Sequence, residues 1–152
     1  MKYSRILFIC ILFAFTACSK GGGDTPTPTP PPVVVTPESD IAFKIEIDGV
    51  EINYTTIFAS LGATQAINVN VTSTPFPKDG VTIDLAVKKV LDNAAVSTDS
   101  KQSTTASANA LTVSNLVPGV ECLGTVTVTS KTLDPVSKTY KSLVKTFRIG
   151  RK

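Results

Sequence analysis

Ile41-Ala42-Phe43-Lys44-Ile45-Glu46-Ile47-Asp48-Gly49-Val50-Glu51-Ile52-Asn53-Tyr54 is the stretch that decides the fold class. Apolar and polar residues alternate on both sides of Asp48-Gly49, the period of a half-buried strand. A two-residue Asp-Gly connection favours a type I′ turn, because both central residues need positive φ. The register that turn predicts sets Ile47 against Val50, Ile45 against Ile52 and Phe43 against Tyr54, all on one side.

The same period recurs downstream. From Gln65 to Ser73 it points Ile67, Val69 and Val71 one way and Asn68, Asn70 and Thr72 the other. Pro75-Phe76-Pro77-Lys78-Asp79-Gly80 reads as a loop, because its prolines cannot donate to a ladder. Val81, Ile83, Leu85 and Val87 then share an inward face, and Lys88-Lys89 breaks the phase as a bulge does. Residues 97–109 are polar almost throughout and read either as an edge strand or as a loop. Ala110 to Asn115 is short and strand-like. Leu116-Val117-Pro118-Gly119 turns a corner into Val120–Ser130, where Val120, Cys122, Gly124, Val126 and Val128 share one face and Thr125, Thr127 and Thr129 the other. Asp134-Pro135 is a turn, and Tyr140–Ile149 is a last strand with an expected bulge between Val144 and Phe147. No segment of helical length and period follows the first residues. About seven short strands separated by turn signals predict an all-β fold, an antiparallel β-sandwich.

The first 39 residues stand apart. Met1-Lys2-Tyr3-Ser4-Arg5 is a short positive region, and Ile6 to Phe15 is uncharged and apolar. That run is too short for a membrane-spanning helix, which needs roughly 20 residues, but suits a signal-peptide core. Phe15-Thr16-Ala17-Cys18 closes it and resembles the lipobox of bacterial lipoproteins, with Phe15 where an aliphatic residue is usual. The resemblance implies cleavage between Ala17 and Cys18 and acylation of Cys18. It also implies attachment to the outer membrane of a Gram-negative cell, since Ser19 is not the Asp that retains some lipoproteins in the inner membrane.

Ser19 to Asp24 is glycine-rich, and Thr25-Pro26-Thr27-Pro28-Thr29-Pro30-Pro31-Pro32 favours extended polyproline II. From Pro26 to Pro37 such a spacer extends on the order of 35 Å. The expected organisation is a leader over 1–17, a lipidated terminus and linker over 18–39, and a β-sandwich over 40–152.

Leu116-Val117-Pro118-Gly119-Val120-Glu121-Cys122 is similar to the corner of fibronectin type III domains, which carry Leu-x-Pro-Gly-x-x-Tyr there. Cys122 stands in place of the Tyr, and the early core Trp of that family is missing. The resemblance implies a fibronectin III-like or immunoglobulin-like sandwich.

Composition removes most chemistry. The chain has no His and no Trp, so it offers neither a Ser-His-Asp triad nor an imidazole metal ligand. Cys122 lies on an apolar strand face with no base, where a thiol is an inert hydrophobe. Glu46, Glu51, Asp84 and Glu121 are expected singly on solvent faces. Asp92-Asn93 and Asp48-Gly49 read as turns rather than a calcium loop. Without Lys2 and Arg5, the 15 basic residues fall to 13 against 12 acidic ones, a balance that gives no field for nucleic acid. The expectation is therefore a non-enzymatic protein without metal or cofactor, held at the membrane by acyl chains. Its loops would bind a protein or a glycan, with Phe76 and Tyr54 as candidate contacts and the Ser/Thr-rich stretch from Ser97 to Asn109 as a source of hydroxyls for a glycan. Phe76 either meets a partner or folds back to plug the sandwich.

Overall fold

Asp48 and Gly49 adopt φ of 50° and 80°, as a type I′ turn requires, and Ile47 pairs with Val50. The structure is a computed structural model that describes residues 34–152. The expected leader, with Ala17 and Cys18, lies outside the described residues. Nine strands follow in order: β1 (Phe43–Ile47), β2 (Val50–Glu51), β3 (Ile57–Ser60), β4 (Gln65–Val71), β5 (Val81–Lys89), β6 (Ala95–Ser103), β7 (Ala108–Val113), β8 (Glu121–Leu133) and β9 (Tyr140–Arg151). They form two sheets, ordered β2-β1-β4-β7 and β3-β9-β8-β5-β6. Every pairing is antiparallel except that of β3 with β9. The fold is an all-β sandwich.

The alternating faces meet between the sheets. Ile45, Ile67, Val69 and Leu111 of one sheet pack with Ile83, Val87, Val126 and Phe147 of the other, and all are essentially fully buried. Such side chains each contribute about 1.5–3 kcal/mol by leaving water. At the centre Gly124 lies directly opposite Phe147. A Cβ on Gly124 would come 2.2 Å from the Phe147 ring, so the glycine is the gap into which the aromatic fits.

Several expectations change. The hairpin shortens: β1 pairs with β2 only at Ile47–Val50 and Glu46–Glu51, its last rung is the Ile52 N–H to Ile45 carbonyl bond at 2.9 Å, and Phe43 is paired on its other side, with Val71 of β4. The reason lies in Asn53, whose Oδ1 accepts from the Thr55 N–H at 2.9 Å. This local side-chain turn competes with the ladder and sends the chain to the other sheet. Val50, expected inward, is 66% exposed because β2 lies at the sheet edge. Residues 97–109 divide into the end of β6, a turn over 104–107 and the start of β7.

The bulge expected between Val144 and Phe147 is absent, since β9 pairs with β8 in unbroken register from Gly150 to Ser142. Lys145 occupies an inward position there and holds its ammonium 5.4 Å from the centre of the Phe43 ring. That arrangement puts a charge in the apolar phase. The irregularity of this pair falls instead between Thr129 and Leu133. The shift expected after Val87 is present in β5.

Candidate functional site

Phe76 is partly buried and packs against the core. Its loop and the incoming chain enclose a hollow of about 350 Å³ lined by Pro37, Glu38, Phe76, Thr132 and Pro135. Beside it the chain entering the sandwich is fastened by a polar joint. Ser130 Oγ donates to Glu38 Oε1 at 2.6 Å. Asp134, itself 1% exposed, accepts from the backbone N–H groups of Val136 and Ser137, both at 2.8 Å. It also accepts from the Glu38 N–H at 3.2 Å. Lys141 Nζ sits 2.8 Å from Asp40 and 3.6 Å from Asp134, and it bonds the Glu38 carbonyl. The N–H of Ser137, ahead of those of Val136 and Glu38, holds the Asp134 carboxyl below its usual range. The hydrogen bond to Asp40 raises Lys141.

Tyr54 lies toward the other end, 57% exposed, with the Arg148 guanidinium 5.8 Å from its ring centre. Arg148 is paired with Glu121, and Lys89, Asn93 and Leu123 complete a hollow of about 160 Å³. The two aromatic candidates are thus not brought together. Cys122 is 1% exposed, and its burial raises the thiol pKa against the opposing pull of Lys89.

Two further surfaces stand out, and Thr98 and Ser100 of the first belong to the Ser/Thr-rich stretch expected to offer hydroxyls. The outer face of the five-stranded sheet is a grid of hydroxyls. Its registers align Thr146, Thr125, Ala86 and Thr98 in one row, and Val144, Thr127, Asp84 and Ser100 in the next. Ala86, the small member, opens a shallow hollow of about 510 Å³ walled by Asp84, Thr98, Ser100, Thr125 and Thr127. Ser100 Oγ donates to Asp84 Oδ1 at 2.7 Å, so a carboxylate and a hydroxyl stand together in the wall of the hollow. Thr125, Thr127 and Thr129 gave half of this signal in the sequence, but the rows need the cross-strand registers.

The second surface is a groove of about 310 Å³ between β2 and β3, lined by Val50, Ile52, Ile57, Phe58 and Ala59 among others. It exists only because the chain changes sheets at Asn53, which no periodicity announces.

The carboxylates expected singly are not all single, since Glu46 lies directly opposite Glu51. Asn70 Nδ2 donates to Glu46 at 2.6 Å, and Lys44 lies 3.5 Å from Glu51, so each has its own partner. Among the described residues no three His, Cys, Asp or Glu side chains converge as metal ligands. Asp92 and Asn93 serve a turn, with Asp92 Oδ1 accepting from the Ala94 N–H at 3.0 Å. Comparison with known protein families and with curated proteins finds no match.

Proposed function

We propose that this chain is a lipid-anchored protein of the outer membrane that displays a non-catalytic β-sandwich for binding, adhesion or a structural role. The observation that carries this reading is the joint at Glu38. A spacer that must present a domain needs a firm attachment, and here the chain enters through four hydrogen bonds and an ion-pair cluster at one end of the sandwich. The loops at the other end are left free of it. The lipobox-like Phe15-Thr16-Ala17-Cys18 supplies the anchor, and several acyl chains hold far more firmly than one. Strand order supports the fibronectin III-like resemblance. Leaving out β2 and β3, the long strands divide as first, second and fifth against third, fourth, sixth and seventh, in keeping with an immunoglobulin-type sandwich. Labelled fatty acid should enter the full chain and be lost in Cys18→Ser. Continued labelling of that variant, or recovery of the native chain in the soluble fraction, refutes the anchor.

The hydroxyl face favours a second reading, a glycan-binding accessory of an outer-membrane uptake system. Asp84, Ser100 and the Thr rows offer donors and acceptors to a polyhydroxyl ligand, and Ala86 leaves room for it. A glycan screen tests it. Binding lost in Asp84→Ala supports this face, whereas loss in Tyr54→Ala or Phe76→Ala moves the site to an end of the sandwich.

A further inference from the structure

Strand edges are normally guarded, because unpaired N–H and C=O groups recruit other strands. In this sandwich β6 carries Asp99 and Lys101, and the neighbouring edge of β7 is capped by side chains. Asp99 Oδ2 accepts from the Thr112 N–H at 2.7 Å, and Ser97 Oγ from the Ser114 N–H at 3.3 Å. No such guard protects β3, Ile57-Phe58-Ala59-Ser60, which has neither charge nor proline. The Ser60 carbonyl accepts from the Lys152 N–H at 3.0 Å on the β9 side. Backbone groups alternate in direction along a strand, so those of Ile57 and Ala59 face the open side. Beneath that edge runs the groove, floored by the partly buried Ile52 and Phe58. Val50 and Ile57 wall it, 66% and 45% exposed.

The spacer contains a segment that its role as a spacer does not explain. Between Pro32 and Pro37 stand Val33-Val34-Val35-Thr36, all β-branched and uncharged. The Thr-Pro repeat before them lacks an N–H at every second residue and cannot form a ladder. Val33–Thr36 is therefore the one strand-competent piece of the spacer. It has the same length as β3, and neither segment carries a charge to oppose their pairing.

The segment cannot serve its own groove. Glu38 is fixed to Ser130, and Thr36, two residues earlier, has a reach of only ~7 Å. The groove lies level with Arg148, which pairs with Ile57 on one side and Leu123 on the other. From Leu123 to Ser130 the strand rises roughly 23 Å.

We propose that the groove between β2 and β3 receives Val33–Thr36 of a second copy, added as a strand on the edge of β3. Backbone hydrogen bonds at Ile57 and Ala59 would hold it, and alternate valines would fill the groove. The contact joins one end of a copy to the other end of the next, so it is heterologous and builds open chains rather than closed dimers. It does not depend on the lipid anchor.

The test is disulfide trapping of the full chain in cells with Val34→Cys and Ala59→Cys combined. A ladder of oligomers on a non-reducing gel, absent from either single variant, is the expected result. Val35→Asp added to the pair should cut the ladder at least about tenfold, because a carboxylate would enter an apolar groove. That change lies in the spacer and leaves the sandwich folded. Three results overturn the proposal: no ladder, a dimer from Ala59→Cys alone, which means β3 pairs with β3, or a disulfide formed within one chain. Loss of the ladder when the chain without residues 1–18 is purified and treated with a thiol oxidant would show that the contact needs the membrane, and overturns its independence of the anchor.

Discussion

At one flank of the sandwich, Asp99 and Ser97 reach from β6 across to the edge amides of β7. Asn115 Nδ2 adds a bond of 3.4 Å to the Val96 carbonyl. At the opposite flank, between β2 and β3, no side-chain hydrogen bond joins the two sheets among the described residues, and an apolar groove stands open. The sealed flank is built from the most polar stretch of the chain, and the open flank from Val50, Ile52, Ile57 and Phe58. Hydrophobic character therefore does not by itself close a sheet edge. Closure requires side chains placed to satisfy the backbone, and an apolar edge without them is free to take another strand.

The severest test asks how far the slackness of the open flank extends into the core. Gly124→Ala would set a methyl against the Phe147 ring, on the strand that carries β3. We expect a loss of about 1–3 kcal/mol in urea unfolding of the domain. A loss below about 0.5 kcal/mol, the range of an ordinary surface substitution, would mean that β9 shifts freely and the looseness is not confined to the edge.

Next in size is the seal. Asp99→Ala leaves the Thr112 N–H without its carboxylate and should cost about 1 kcal/mol, because the freed N–H is exposed and finds water. Asp99→Asn keeps an acceptor and should recover most of it. If both variants unfold at the native urea concentration, the carboxylate does not hold the flank and the contrast between flanks loses its physical basis.

How much of this was legible follows the same contrast. The buried faces of β4, β5 and β8 stood in the sequence, because period-two alternation is a local property that the core only ratifies. Lys145 misled the reading of β9, since its inward place over Phe43 looks like a slipped phase. The sealed flank lay in residues 97–109, where polarity is the same for a loop and for an edge strand whose side chains cap a neighbour. The open flank depended on Asn53 ending the hairpin early, a competition between one side-chain bond and a ladder that the alternation of Val50-Glu51-Ile52-Asn53-Tyr54 conceals. Tyr54 and Phe76 could be picked out as aromatics, but their positions near opposite ends came from the topology.

The joint at Glu38 extends the principle of carboxylate closure to the end of the sandwich, where it depends on pH. Asp134 has a lowered pKa when folded, so its stabilisation is present above the ordinary carboxylate value of 3.8 and is lost as pH falls through the lowered one. Lys141 is raised, so its share persists up to the ordinary 10.5 and is lost above it. Protease cleavage within Thr36–Ser39 should therefore be slow and pH-independent across that window, after correction for the protease. Asp134→Asn should speed cleavage at neutral pH while the core of the sandwich resists. Cleavage at the native rate in that variant would show that Ser130 and Lys141 hold the joint without it.

The smallest expected effect on stability separates the flanks most cleanly. Ile57 is 45% exposed at the open edge, and Lys is the residue by which natural edge strands repel additions. Ile57→Lys keeps the aliphatic stem against the groove while placing a charge where an incoming strand would lie. Its cost in urea unfolding should stay within about 0.5 kcal/mol, as for surface positions generally. If Val33–Thr36 of another copy occupies that edge, the same change should abolish oligomers in the full chain. A variant that unfolds readily would instead assign Ile57 to the core of its own domain. One that folds and still oligomerises would leave the groove an open seam with no strand to fill it.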